Sequence, residues 1–271
     1  MRAAAVDVPD ALRSLGFRAS RESIQALLTH ATKSRLSPVE FAEQLVVVER
    51  REREALNLAR RTRFATLGTP PPLDTFDWSH PRQIDRARYE QLLGLDFAAA
   101  GENVLFRGQS GIGKTMLAQN LALTALTRGM TVRFTTLAAA LADLSKQESL
   151  PALERRLRRY TAPDVLAIDE VGYLPCDSRS ADLLYNVISR RHEKRSTIIT
   201  TNLAFKHWGT IFPGAACVVA MVDRFAQHCH VMDIDADSWR QKHALTPSST
   251  ETPSPTTTTP TTGQKSRKKR R

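Results

Sequence analysis

The sequence predicts an α/β protein: a parallel sheet with helices on both faces, preceded by a small helical region. Three observations carry that expectation. Between residues 82 and 245, short apolar runs alternate with segments of helical length, the pattern of successive strand–helix crossovers. A glycine-rich turn, Gly108 to Gly113, lies between one strand-like run and one helical run. Of the 271 residues, 41% are apolar, enough for one substantial core with appendages.

The first 68 residues read as helical. ALRSLG forms a short turn of helix closed by Gly16. Ser20 is placed as the N-cap of a helix near 20–30, with Ile24, Leu27 and Leu28 on its apolar side. From Ser37, with Pro38 at the first helical position, a long helix is expected to about Leu67. Phe41, Leu45, Val48, Leu56 and Ala59 form its apolar stripe. GTPPPLDTFDWSHP breaks that helix, and residues 69–81 read as a linker. Within 82–245, strands are expected at 103–106, 131–134, 165–168, 197–200 and 231–234. Helices fall between them, at about 114–128, 137–145, 151–160, 180–194 and 216–228.

Residues 246–271 are rich in Thr, Pro and Ser and carry no core-forming pattern, so disorder is expected. Six basic residues against the single Glu251 leave +5 on this tail, out of a net +11 for the chain. The tail has two readings, a non-specific DNA-binding arm and a solubilising extension. The overall excess favours a polyanionic partner, nucleic acid first and an anionic membrane surface second. No apolar run approaches the ~18 residues of a membrane span. MRAAAVDVPDALRSLGF has no long apolar signal core, so a cytoplasmic location is expected. Cys176, Cys217 and Cys229 are scattered and suggest no disulfide framework.

The strongest chemical signal is NVLFRGQSGIGKTMLAQNLA. Gly108, Gly113, Lys114 and Thr115 match G-x-x-x-x-G-K-[ST], after a β-rich run and before a helical one. Gly108, Gly111 and Gly113 let the backbone curl with its N–H groups turned inward, and the helix start adds its dipole. Gln109, Ser110, Ile112 and Met116 complete the expected nucleotide-binding stretch. Lys114 is the point charge for the β- and γ-phosphates of ATP, and Thr115 a hydroxyl ligand for Mg²⁺. In DVLAIDEVG, Asp169 at a strand end holds Mg²⁺ through water, and Glu170 polarises an attacking water. The bland reading is that the two acids cap a strand. STIITTN ends on Asn202. If this strand lies between the P-loop strand and the Asp169 strand, Asn202 sits beside the γ-phosphate and orients the water. Otherwise it is a strand-ending turn residue.

Together these three motifs resemble those of the AAA+ ATPases. GENVLFRGQSGIGKTMLAQNLALTAL, RGMTVRFTTLAAALADL, DVLAIDEVGYLP and DRFAQHCHVMDIDADSWR narrow the resemblance to the IstB/DnaC group, transposition helpers and replicative helicase loaders. It covers about residues 12 to 243. SPVEFAEQLVVVERREREALNLARR is more similar to the IstB branch. The resemblance implies an ATPase that oligomerises on duplex DNA in its ATP state and recruits a transposase; the alternative is a DnaC-like loader that grips a replicative helicase. Fewer than ten residues of ordered pattern follow the last strand, so no helical lid is expected and a neighbouring subunit has to complete the site. That points to Arg224, in an Asp-Arg pair that opens a helix in this group, as a cation acting on the next subunit's γ-phosphate. The competing reading is a surface pair with Asp223.

His228-Cys229-His230 lacks the second ligand pair a zinc site needs. His228 is better placed ending a helix, and Cys229 filling space. Three basic clusters are candidate duplex contacts: Arg50, Arg51, Arg53, Arg60, Arg61 and Arg63; Arg155, Arg156, Arg158 and Arg159; Arg190, Arg191, Lys194 and Arg195. Each also reads as a solvated helix face. Aromatic content of 6% gives little support for base stacking on single strands. A small-molecule P-loop kinase is the reading from another class, and the Asp169-Glu170 and Asn202 motifs argue against it.

Overall fold

The computed structural model describes residues 6–173 and 176–236. In chain order it contains α1 (Val8–Ser14), α2 (Arg21–Ser34), α3 (Pro38–Ala65), a 3₁₀ turn (Leu73–Thr75), α4 (Arg86–Leu92), α5 (Asp96–Ala100), β1 (Asn103–Gly108), α6 (Lys114–Thr127) and β2 (Val132–Thr136). There follow α7 (Leu137–Ser145), α8 (Leu150–Thr161), β3 (Val165–Val171), α9 (Ser178–Arg191), β4 (Ser196–Thr201), a second 3₁₀ turn (Phe205–Thr210), α10 (Val218–Ala226) and β5 (Cys229–Ile234). The expected Thr/Pro-rich tail, and the expectation of no lid beyond the last strand, fall on residues outside those described.

All five strands are parallel, in the order β2–β3–β4–β1–β5. The central strands β3 and β4 are buried almost throughout, hydroxyl side chains included, because both faces are covered. Alternation along each strand divides the core in two. Val104, Phe106, Ala167 and Ile198 face α4, α5 and α6. Leu105, Leu166, Ile168 and Ile199 face α7, α8, α9 and α10. The sheet order puts β4 between the P-loop strand β1 and the Asp169 strand β3.

Local chemistry sets the N-terminal helices. The Ser20 hydroxyl accepts from the Ser23 N–H at the start of α2. Ser37 and Glu40 form a reciprocal capping box ahead of Pro38 at the start of α3. Glu49 on α3 accepts from the backbone N–H groups of Arg18 (2.8 Å) and Ala19 (2.9 Å), fastening the α1–α2 loop. The α3 stripe differs from the one expected. Phe41, Leu45 and Val48 are half-buried, as read, but Leu56 and Ala59 are exposed. In this stretch Leu58 and Ala65 pack against the core instead. The helix changes partner along its length, from α2 to β2 and α6, so the buried face rotates. Its end is tied to the sheet edge by the Thr66 hydroxyl donating to the Phe134 carbonyl (2.6 Å).

The helices α4 and α5 and both 3₁₀ turns were not expected, being too short to show a period of 3.6. In the last part of the domain, α10 begins at Val218, so Asp223 and Arg224 lie in its final turns instead of opening it. It ends at Ala226, so His228 stands beyond the helix, its carbonyl accepting from the Asn103 N–H (2.7 Å).

Arg191, one of the candidate DNA contacts, is instead 1% exposed. Its guanidinium donates to the carbonyls of Tyr160 (3.0 Å), Pro163 (2.8 Å), Asp164 (3.2 Å) and Ser196, and to the Thr197 hydroxyl (3.0 Å). It thereby ends α8 and joins the α8–β3 and α9–β4 connections. Burial lowers its pKa to about 9, so it stays charged at neutral pH. Arg191→Ala strands these buried oxygens and is expected to cost about 3 kcal/mol or more of stability in urea unfolding. A loss below about 1 kcal/mol would refute this account of the connection. Arg191→Lys, lacking the planar fork, should restore only part.

Candidate nucleotide site

β1 runs into a loop at Gln109 and emerges as α6 at Lys114. Gly113 is the residue before the helix, at φ +93°, and offers no capping side chain. The first N–H groups of α6 are therefore left open to an anion. Two glycines are demanded by close approach as well as by φ. A Cβ on Gly113 would meet Phe76 Cε2 at 2.5 Å, and one on Gly108 would meet the Ile234 carbonyl oxygen of β5 at 2.2 Å. Lys114 is 5% exposed and reaches back across the loop, Nζ donating to the carbonyls of Gly108 (2.8 Å) and Gln109 (2.5 Å).

The strand ends bring the remaining groups to this loop. The Thr115 hydroxyl lies 3.1 and 3.0 Å from the two oxygens of Asp169, which is 4% exposed. Thr200 of β4 donates to the same carboxylate and accepts from the Glu170 N–H (3.0 Å). Strict alternation would send Asp169 and Glu170 to opposite faces of the sheet. The β3–β4 register instead shifts between Ile168 and Val171, and Glu170 adopts φ +62°. Both carboxylates consequently line one cavity. A left-handed, non-glycine backbone costs of order 1 kcal/mol and persists here under the Thr200 contact.

That cavity holds ≈ 480 Å³. Ser110 to Met116, Asp169, Glu170 and Thr200 form its phosphate end, and Gly108 and Gln109 stand behind it with carbonyls turned to Lys114. Its other walls were missed from sequence. Pro71, Thr75, Phe76, Asp77 and His80 come from the segment read as a linker, with Gln119 and Tyr173 opposite. The segment is pinned by the Asn120 side chain donating to the Pro71 carbonyl (2.9 Å), and Phe76 and Trp78 pack edge to face. The aromatic residues in FDW were its one visible signal.

The residues fit a nucleoside triphosphate and a divalent cation. The glycine cradle is packed so tightly at Gly108 and Gly113 that a Cβ there would displace Ile234 or Phe76 and deform the loop. The paired Thr115 hydroxyl and Asp169 carboxylate are hard oxygen donors of the kind Mg²⁺ takes from protein, leaving its other positions to phosphate and water.

Other expected site residues lie elsewhere. Asn202 follows the last residue of β4 and is exposed; it approaches Gly172 and does not line the cavity, so Thr200 is the β4 residue that does. Arg224 is outside the cavity, half-buried against α9. No group of three or more His, Cys, Asp or Glu side chains placed to hold a metal ion occurs among the described residues. The His230 ring instead pairs with Glu102 (2.7 Å), and burial lifts the Cys229 thiol to about 12. Of the basic clusters, Arg50, Arg51, Arg60, Arg63, Arg155, Arg158, Arg159 and Lys194 are exposed, and Arg61 is half-buried. Arg53, Arg156, Arg190 and Arg195 are paired with Glu49, Asp143, Glu154 and Asp164.

A five-stranded parallel sheet with a strand inserted between the P-loop strand and the Asp169 strand defines a P-loop nucleotide-binding protein of the AAA+ class. The fold is similar to that of DnaI (TM-score 0.51, 17% identity, covering 62% of this chain and 92% of that one). It is also similar to the replication initiator DnaA solved with AMPPCP and single-stranded DNA (TM-score 0.50, 16% identity, 60% and 49% covered). The chain belongs to the family of IstB-like ATP binding proteins, whose family model matches residues 11–247. Two relatives are each 34% identical over 219 residues, 81% of this chain. One, from Geobacillus stearothermophilus, is named for ATP binding and insertion sequence IS5376 and is covered over 87% of its length. The other, from Pseudomonas aeruginosa, is named for ATP binding and insertion sequence IS21 and is covered over 83%.

Proposed function

We propose that this chain is a transposition helper ATPase that assembles on duplex DNA in its ATP state and recruits a transposase. The observation that carries the chemistry is the convergence of Lys114, Thr115, Asp169, Thr200 and Glu170 on one cavity. Lys114 and the open N–H groups of α6 hold the phosphates. Thr115 and Asp169 hold Mg²⁺, which when bound neutralises phosphate charge. Glu170 accepts a proton from water as its oxygen bonds to the γ-phosphorus, while the bond to the β-phosphate oxygen breaks and ADP leaves with the electron pair. Thr200 fixes both acids: its hydroxyl donates to Asp169, and its oxygen takes the Glu170 N–H.

Arg224 is assigned to a neighbouring subunit's site, which couples hydrolysis to assembly. The exposed arginines of α3 and α8 supply phosphate contacts that read no sequence. The insertion-sequence relatives favour a transposase over a replicative helicase as partner. No helix among the described residues is long and apolar enough to cross a membrane. With DNA as the proposed partner, we assign the protein to the cytoplasm.

Turnover and particle size are to be measured with ATP, with and without duplex DNA, at two salt concentrations. Duplex DNA should raise turnover and yield a larger ATP-dependent assembly, both weakened by salt. Turnover that ignores DNA and needs a small acceptor would replace this function with that of a kinase.

A further inference from the structure

Arg224 is held in a way that its sequence position does not suggest. It projects from α10 onto α9, where Tyr185 and Ser189 stand four residues apart on one helix face. One terminal nitrogen, Nη1, donates to both hydroxyls. The guanidinium carbon sits 4.9 Å from the centroid of the Tyr185 ring. The Arg224 carbonyl is bonded to His192 Nδ1 (3.1 Å) just past the end of α9, so backbone and side chain are anchored to the same helix.

Every side-chain partner is neutral. Arg107, Arg190 and Arg195 each sit on a carboxylate, whereas Arg224 has none among the described residues. Its positive charge is left uncompensated. The Nε–Nη2 edge, one of the forks by which arginine takes an oxyanion side-on, has no partner among the described residues. The hydroxyls and the ring hold the guanidinium without neutralising it, so its charge stays available to an oxyanion. The Tyr185 phenol is drawn below its ordinary value by the Ser189 hydroxyl and by Arg224, consistent with its role as acceptor.

We infer that Tyr185 and Ser189 are positioning residues for Arg224, fixing one nitrogen and one face of the guanidinium so that its free edge meets the terminal phosphate of ATP in a second copy of the chain. The inference rests on the reading of Arg224 as acting between subunits and adds what aims it. Tyr185 and Ser189 do not line the nucleotide cavity of their own subunit; they work through Arg224. Because α9 follows Glu170 and Tyr173 along the chain, the aimed cation is held by the helix that leaves the subunit's own ATP site.

The test uses mixtures of full-length chains with ATP and duplex DNA. Arg224→Ala chains keep a working Glu170, and Glu170→Gln chains keep a working Arg224, so their mixture should regain turnover that neither shows alone. Tyr185→Phe and Ser189→Ala are then added to the Glu170→Gln chain. Recovery should fall about tenfold to a hundredfold in kcat, the scale of a catalytic group displaced by about 1 Å, with KM for ATP and particle size unchanged. Ser189→Thr alone, with Tyr185 intact, keeps both hydroxyls and should retain most of the recovery. Tyr185→Phe alone keeps the ring packed and covers the case in which the double change loosens the helix pair; it too should lower kcat. Full recovery with the double variant or with Tyr185→Phe alone overturns the positioning role and leaves Arg224 in place. No recovery in the first mixture overturns both.

Discussion

Lys114→Ala is expected to reduce ATP affinity at least about a hundredfold, the scale of truncating one partner of a buried charge contact. Lys114 is nearly buried, and its Nζ already braces the loop through the carbonyls of Gly108 and Gln109. The substitution therefore removes the cation that faces the phosphates and the brace that shapes the cradle. The loss should appear in equilibrium titration with a fluorescent ATP analogue, and assembly on DNA should fail with it. Affinity within a few-fold of the original would remove the phosphate site from the loop at 108–115. Gly113→Ala gives an independent check on the cradle, since its methyl group meets the Phe76 ring at 2.5 Å in a backbone of φ +93°.

Glu170→Gln is expected to separate binding from chemistry. The amide keeps the length of the side chain and leaves the Glu170 N–H to Thr200 contact intact, so ATP affinity should hold. It no longer takes a proton, and single-turnover hydrolysis should drop by about 10²–10⁴, the range supplied by a positioned general base. The variant should accumulate ATP-bound assemblies on duplex DNA, visible by sizing. Hydrolysis within a few-fold of the original chain would assign the base to another group, and weakened ATP binding would give Glu170 a ground-state role instead.

Much of this site was legible in the chain because its parts are local. A glycine pattern followed by Lys114 and Thr115 is a turn and a helix start within one short stretch. Asp169 and Glu170 advertise themselves as acids ending an apolar strand. The five strands and their crossover helices appear as alternating runs because both faces of the sheet are covered. Residues whose roles depend on pairing were not legible. Thr200 is an ordinary strand residue until the β3–β4 register sets its hydroxyl against Asp169. Phe76 and His80 read as linker until the segment lies across the P-loop.

Two further decisions belong to tertiary contact alone. Arg191 sits in a basic run that reads as solvated, yet it is the buried cation of that run, because the ends of α8 and β3 leave carbonyls that only a planar fork can satisfy together. The exposed Arg50 and Arg158 look no different in sequence. Arg224 depends on a neighbour 39 residues away, Tyr185, for its orientation. The sequence by itself determined the class of fold, the phosphate loop and the acids of the site, since periodicity and turn chemistry are written within a few residues of each other. The three-dimensional structure decided which face each acid presents, which arginines are buried and where Arg224 is anchored. Those outcomes follow from strand register and from satisfying buried polar groups, which join residues far apart in the chain.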